Sequence, residues 1–273
     1  MGVILGVDVG GSTTKIAGYR ESGSRVGTLQ VEASDQITSL YGAVGNFLST
    51  NRIPLSDVTR FVITGVGASF VSGDIYGVPT ERVDEFLAIG KGGLALSGKT
   101  EALVVSLGTG TAFVRAGKAG FEHIGGSGVG GGTLAGLSWH LFHENDYASL
   151  GRMAEEGDIN KVDLMISDIC TNEISSLPSH ITASNLGRVT TAATRQDIAM
   201  GLINMVFQTV GMLSAFALRN DDVKDVVLIG TLARLPLARR VLDTVEEVTD
   251  VSFFIPEDAA CATAIGAALP YVD

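Results

Sequence analysis

An apolar run that ends abruptly in glycine and hydroxyl residues occurs twice in this chain, as GVDVGGST over 6–13 and as VVSLGTGT over 104–111. Glycine supplies tight-turn conformations without steric cost, so each run reads as a strand delivered into a turn. The sequel is also shared. TKIAGYR, the turn ESGS and RVGTLQVE follow the first; TAFVRAG and FEHIGGSG, joined by a short glycine turn, follow the second. Each half therefore opens as a three-strand antiparallel meander. A repeat of this size predicts an α/β chain of two lobes, each built on a β-meander, with a central cleft between them. No low-complexity linker separates the halves, so a tight hinge near residue 98 is expected, dividing an N-terminal lobe of 1–98 from a C-terminal lobe of 99–273.

Helical patterns surround the meanders, over 36–49, 84–96, 134–143, 148–155, 161–172 and 195–218. The chain closes with the strand KDVVLIG, a helix over 232–248 with Pro236 near its first turn, the strand VSFFIP and a helix over 259–272. One stretch, 198–218, is uncharged and long enough to cross a bilayer. Asn204, Gln208, Thr209 and Ser214 dilute it, no second span accompanies it, and Gly201 and Gly211 suit close packing. It is read as a buried or dimer-interface helix, with a homodimer and no membrane partner expected. Hydrophobic residues make up 45% of the 273, enough for a sizeable core. Against 19 basic side chains stand 30 acidic ones, a net charge of -11 that repels nucleic acid. Cys170 and Cys261 are too few and too far apart for a disulfide framework or a structural zinc site. The first residues lack the basic and apolar regions of a signal peptide, so a cytoplasmic protein is expected.

Chemistry concentrates at the turns. Asp8 is carried to Gly10, Gly11, Ser12, Thr13 and Lys15, where free amides and hydroxyls can surround phosphate oxygens and the carboxylate can hold Mg²⁺. One such turn is equally an ordinary hairpin. A second, with Thr109 and Gly110, would face the first and clamp a polyphosphate from both sides. Leu228, Ile229, Gly230 and Thr231 form a third element, a strand ending in small residues before a helix, which suits adenine or ribose packing and is also a common strand-to-helix turn.

This order of turns resembles the sugar kinase, heat-shock ATPase and actin superfamily, whose actin-like, ribonuclease H-like fold would span nearly the whole chain. The segments DEFLAIGKGG, SLGTGT, IGGSGVGGGTLAGL, NDYASL, TASNLG and CATAIGAAL resemble the type II pantothenate kinases, which open coenzyme A synthesis. That resemblance implies ATP and Mg²⁺ as cofactors and pantothenate as the acceptor. It places Glu85 as the carboxylate that takes the proton of the acceptor hydroxyl, Lys15 on phosphate, Asp8 at the metal and Thr109 on ATP. Gly131, Gly132, Thr133, Leu134 and Ala135 fall on the nucleotide-binding turn and helix start, with Tyr147 and Thr231 as further contacts. Glu85 on its own is a solvated helix-start carboxylate; only the resemblance makes it a base. The acceptor side falls to His123, Gly125 and Gly126.

His123 is also where the chain departs from the family, which places an arginine there. A histidine donates one or two hydrogen bonds and is no guanidinium fork. Three alternatives follow: His123 reaches the acceptor, Arg115 substitutes for the missing arginine, or the acceptor is another small alcohol. A non-catalytic nucleotide- or coenzyme A-sensing protein is the rival from a different class. GLALSGKT over 93–100 fits a Walker A motif by letter, but it ends a helix and precedes a strand, the reverse of a P-loop, so Lys99 is read as a helix C-terminal cation. His140, His143 and Glu144 lack a third ligand at useful spacing, and Cys261, Met200, Met205 and Met212 read as packing residues.

Overall fold

The computed structural model describes residues 2–170 and 178–272. The first meander is β1 (Val3–Val9), β2 (Thr13–Arg20) and β3 (Arg25–Glu32). Helix α1 (Gln36–Asn51) follows, then β4 (Val58–Thr64) and β5 (Thr80–Arg82). They form one sheet in the order β3-β2-β1-β4-β5, with β1 antiparallel to β2 and parallel to β4. After α2 (Glu85–Ser97), the strands β6 (Ala102–Leu107), β7 (Thr111–Gly117) and β8 (Gly120–Ser127) build the second meander.

Then come α3 (Gly131–Phe142), α4 (Tyr147–Glu155), β9 (Leu164–Met165), α5 (Ile166–Ile169), β10 (Thr182–Ser184) and α6 (Arg195–Ala217). The chain finishes with β11 (Asp225–Ile229), α7 (Leu237–Glu246), β12 (Ser252–Phe254) and α8 (Ala262–Ala268). The second sheet runs β8-β7-β6-β11-β12 with the same pattern of directions as the first. The duplication read from the turns is thus a duplication of whole sheets.

Each sheet covers its own core. Leu5, Val7, Ile16, Phe61 and Ile63 of the first pack on Leu40, Val44 and Phe47 of α1. Removing a side chain of this size from water contributes about 1.5–3 kcal/mol. In the second lobe, Leu103, Val105, Phe113 and Leu228 meet Ile203, Phe207 and Val210 of α6 and Leu242 of α7. The opposite faces of the two sheets look at each other across α2 and α8. Ile265 and Ala268 of α8 pack on Ile4, Ala17 and Val62 of the first sheet, while Ile89 of α2 packs on Val104 and Val114 of the second.

The 23-residue α6 is long and apolar enough to cross a membrane, yet 67% of its most apolar window is buried inside this lobe. Its start is fixed by a reciprocal cap: Thr194 Oγ1 accepts from Asp197 N, and the Asp197 carboxylate accepts from Thr194 N at 2.9 Å and Asp158 N at 2.8 Å. The Asp158 amide, then the Thr194 amide and hydroxyl, pull this carboxyl from the usual 3.8 down to about 2. A depressed folded-state value stabilises above the ordinary aspartate range and is lost as pH falls through about 2. Asp197→Asn is expected to be less stable than the unaltered protein at neutral pH, with the gap closing below about pH 4, as read by urea melts.

Two expected helices differ. Over 161–172 the described part is a 3-10 turn, β9 and α5, while 171–172 lie outside the described residues. Tertiary bonds override the helical pattern: the fully buried Asp163 accepts from Leu186 N at 2.8 Å and Asn204 Nδ2 at 2.8 Å, and β9 pairs with β10. The helix expected over 232–248 is broken at Pro236. A residue before proline is pushed out of the helical region, and Leu235 stands at φ -61°, ψ 131°, so a 3-10 turn at Leu232–Arg234 precedes α7.

Candidate active site

The turns that end β1 and β6 meet over a cleft of about 420 Å³ between the two sheets. Asp8 and Lys15 are register partners on antiparallel strands, so they project from one face, and Lys15 Nζ donates to Asp8 Oδ2 at 3.3 Å. Both are buried. Gly10, Gly11, Ser12 and Thr13 line the same wall. From the other lobe Thr109 and Gly110 line the cleft, and the hydroxyls of Ser12 and Thr109 are 2.9 Å apart, joining the two turns.

Glu85 enters as the first residue of α2, next to Asp84, whose side chain caps the helix by accepting from Leu87 N at 2.9 Å. Its carboxyl is raised above the usual glutamate range, mainly by burial and further by the negative charges of Asp8 and Asp84, with Lys15 pulling the other way. The cleft thus holds, within one volume, an ion-paired carboxylate, a second carboxylate with raised proton affinity, and two turns rich in amides and hydroxyls.

Thr231 also lines the cleft, its hydroxyl donating to Gln30 Oε1 at 3.2 Å. Gly131 and Tyr147 do as well, and they touch: Tyr147 Oη donates to Gly131 O at 2.8 Å. Gly132, Thr133, Leu134 and Ala135 are not among the lining residues. Gly131 N and Gly132 N donate to Gly108 O and Thr109 O at 2.9 and 2.7 Å, and Thr133 Oγ1 donates to Gly128 O at 2.8 Å. Leu134 is fully buried. The start of α3 is therefore a brace for the second turn; a Cβ on Gly131 would lie 2.7 Å from Gly108 O.

Of the residues expected at the acceptor, His123 and Gly126 line the cleft and Gly125 does not. A bulge in β8 skips Ile124 between the paired positions His123 and Gly125, turning both His123 and Gly126 to the cleft. The His123 ring stacks on Phe86 at 4.0 Å and 9° between planes. Arg115 does not take its place: its guanidinium is held by Asp221 at 2.7 Å and Glu101 at 3.1 Å, and it is absent from the lining. Lys99, at the end of α2, is bonded to Asp225 at 2.9 Å. Ser106 and Thr111, the bounds of the second turn, line the cleft as well, and so do Phe86 and Thr263, to which the sequence assigns no role. For Phe86 the signal was its place beside Glu85; Thr263 carried none, because only the fold brings α8 to the first sheet.

A duplicated sheet, an interlobe cleft and paired glycine–hydroxyl turns define a protein of the actin-like ATPase and sugar kinase fold. The solved activator of 2-hydroxyisocaproyl-CoA dehydratase from Clostridium difficile, with bound ADPNP, matches this fold with a TM-score of 0.73 at 17% identity, covering 98% of this chain and 94% of that one. The Fumble family model matches residues 98–245. Type II pantothenate kinase of Oceanobacillus iheyensis is 32% identical, covering 97% of this chain and 98% of that protein. The enzyme of the same name from Staphylococcus aureus is 25% identical, covering 96% and 97%. The chain belongs to the Fumble family of type II pantothenate kinases.

Proposed function

We propose that this protein transfers the γ-phosphoryl group of Mg-ATP to the primary hydroxyl of pantothenate, forming 4′-phosphopantothenate and ADP. The observation that carries this reading is the meeting of Asp8, Lys15, Glu85 and both glycine–hydroxyl turns in one cleft. Glu85 takes the proton of the acceptor hydroxyl as its oxygen bonds to phosphorus and the bond to ADP breaks. Ser12, Thr13, Thr109 and Gly110 hold the phosphates, Lys15 neutralises them, and Thr231 and Tyr147 border the nucleoside end. Asp8 supplies one hard carboxylate oxygen, the kind of ligand Mg²⁺ takes beside substrate phosphates. The metal, when bound, would neutralise the charge that spreads over the transferring group. His123 and Gly126 border the acceptor. Closure of the lobes 1–98 and 99–273 expels water. The active form is a cytoplasmic homodimer, for which the exposed Leu213 and Phe216 of α6 are the apolar contacts on offer.

A second reading, a kinase for another small hydroxyl compound, is favoured by His123 lying flat on Phe86, which offers ring-edge hydrogen bonds in place of a bidentate fork. ADP release with Mg-ATP, with and without pantothenate, and mass spectrometry of the product decide between them. Pantothenate-dependent release with the phosphorylated product is the expected result. ATP binding without that product would overturn the pantothenate assignment and leave the other acceptors and the sensing role to be screened.

A further inference from the structure

Thr64 closes β4 beside this cleft and, like Thr14 and Ser138, carries a buried hydroxyl without a partner among the described residues. It is 2% exposed. Strand register places Lys15, Asp8 and Thr64 side by side on β2, β1 and β4. Residues opposite one another on neighbouring strands share a face, about 5 Å apart. Asp8 commits Oδ2 to Lys15. Its other oxygen leans over the end of β4: a Cβ built on Gly65 would stand 2.5 Å from Asp8 Oδ1, and Gly65 itself has φ 90°, so no larger residue fits there. The uncommitted oxygen of Asp8 and the orphan hydroxyl of Thr64 therefore occupy the same corner. A buried hydroxyl without a partner is destabilising, and valine would fill its place without that cost.

We infer that Thr64 is a positioning residue whose hydroxyl, orphaned in the unliganded protein, donates to the free oxygen of Asp8, directly or through one water, when a divalent cation is held with nucleotide, and so fixes that carboxylate. The inference rests on the proposed role of Asp8 at the cation. Outer hydrogen bonds to a metal-ligating carboxylate are worth roughly 10–100-fold in metal affinity. Thr64 touches neither nucleotide nor acceptor in this arrangement, so its effect is confined to the cation.

Mn²⁺ serves as the probe, titrated into the intact protein with saturating ADP and followed by the electron paramagnetic resonance of the free ion. Thr64→Val is expected to weaken Mn²⁺ binding about tenfold. ADP affinity without cation stays unchanged, and the melting temperature of the unliganded protein rises because a methyl replaces an orphan hydroxyl. Thr64→Ser restores Mn²⁺ affinity. Asp8→Asn separates the two ways of failing. If it loses Mn²⁺ while Thr64→Val binds it normally, the role of Thr64 is overturned and that of Asp8 stands. If it too binds Mn²⁺ normally, the cation reading of Asp8 falls and this inference with it. Loss of stability and of metal-free ADP binding in both Thr64 variants would also overturn it, marking the residue as structural.

Discussion

Glu85→Gln is expected to lower kcat by about 10²–10⁴ while the affinity for ATP changes little, because it removes a base and leaves the phosphate-binding turns intact. Glutamine keeps the size of the side chain and its place in the first turn of α2, and the Asp84 cap of that helix is untouched. The pH profile carries the second half of this prediction. A base works deprotonated, and burial together with Asp8 and Asp84 raises the proton affinity of Glu85. Activity of the unaltered enzyme should therefore fall on the acid side at a pH above the ordinary glutamate range, and that limb should vanish from the residual rate of the variant. A glutamine variant with undiminished turnover would remove Glu85 from the chemistry altogether.

Gly266→Ala is expected to be the most damaging small substitution in the fold. A Cβ at Gly266 would stand 1.9 Å from Ala88 O and 2.5 Å from Gly92 N, and one at Gly92 would stand 1.9 Å from Ala262 O. These obstacles are backbone atoms of a facing helix, so no rotamer change relieves the clash; α2 and α8 must separate. Overpacking of this kind costs about 3 kcal/mol or more, roughly 10 °C in Tm for a chain of this length. Because α8 rests on the first sheet and α2 on the second, separating them also changes the spacing of the lobes. Activity measured well below Tm should fall together with stability. A variant that melts as the unaltered protein does would show that the two helices can part freely.

Much of this architecture was legible in advance, and the reasons are local. The strands of both meanders lie where apolar runs meet glycine turns, and Gln36–Asn51 and Arg195–Ala217 follow their helical periodicity within a few residues. Asp8, Lys15 and the two turns could be found because strand, turn and chemistry are contiguous in sequence. What escaped is non-local. Nothing in CATAIGAAL says that the last helix returns to the first sheet. Gly131 lines the cleft, and the amides of Gly131 and Gly132 also brace the Gly108 and Thr109 carbonyls, a tie that no local pattern announces. Thr64 is one threonine among several until strand pairing sets it beside Asp8. The break at Pro236 is a local effect by contrast, since the rule for residues before proline alone takes Leu235 out of the helical region.

The contact between Ser12 and Thr109 bears on how tightly any polyphosphate is held. A ligand lying between the two turns must first part these hydroxyls, so only the fraction of molecules with the pair open is competent to bind. A bond between neutral hydroxyls is worth about 0.5–1.5 kcal/mol, which leaves roughly a third to a fourteenth of the population open at rest. Apparent affinity is diminished by that same factor, about three- to fourteenfold. Two small side chains thereby set a modest threshold on occupancy, one that the amides of both turns readily outweigh once a phosphate has entered.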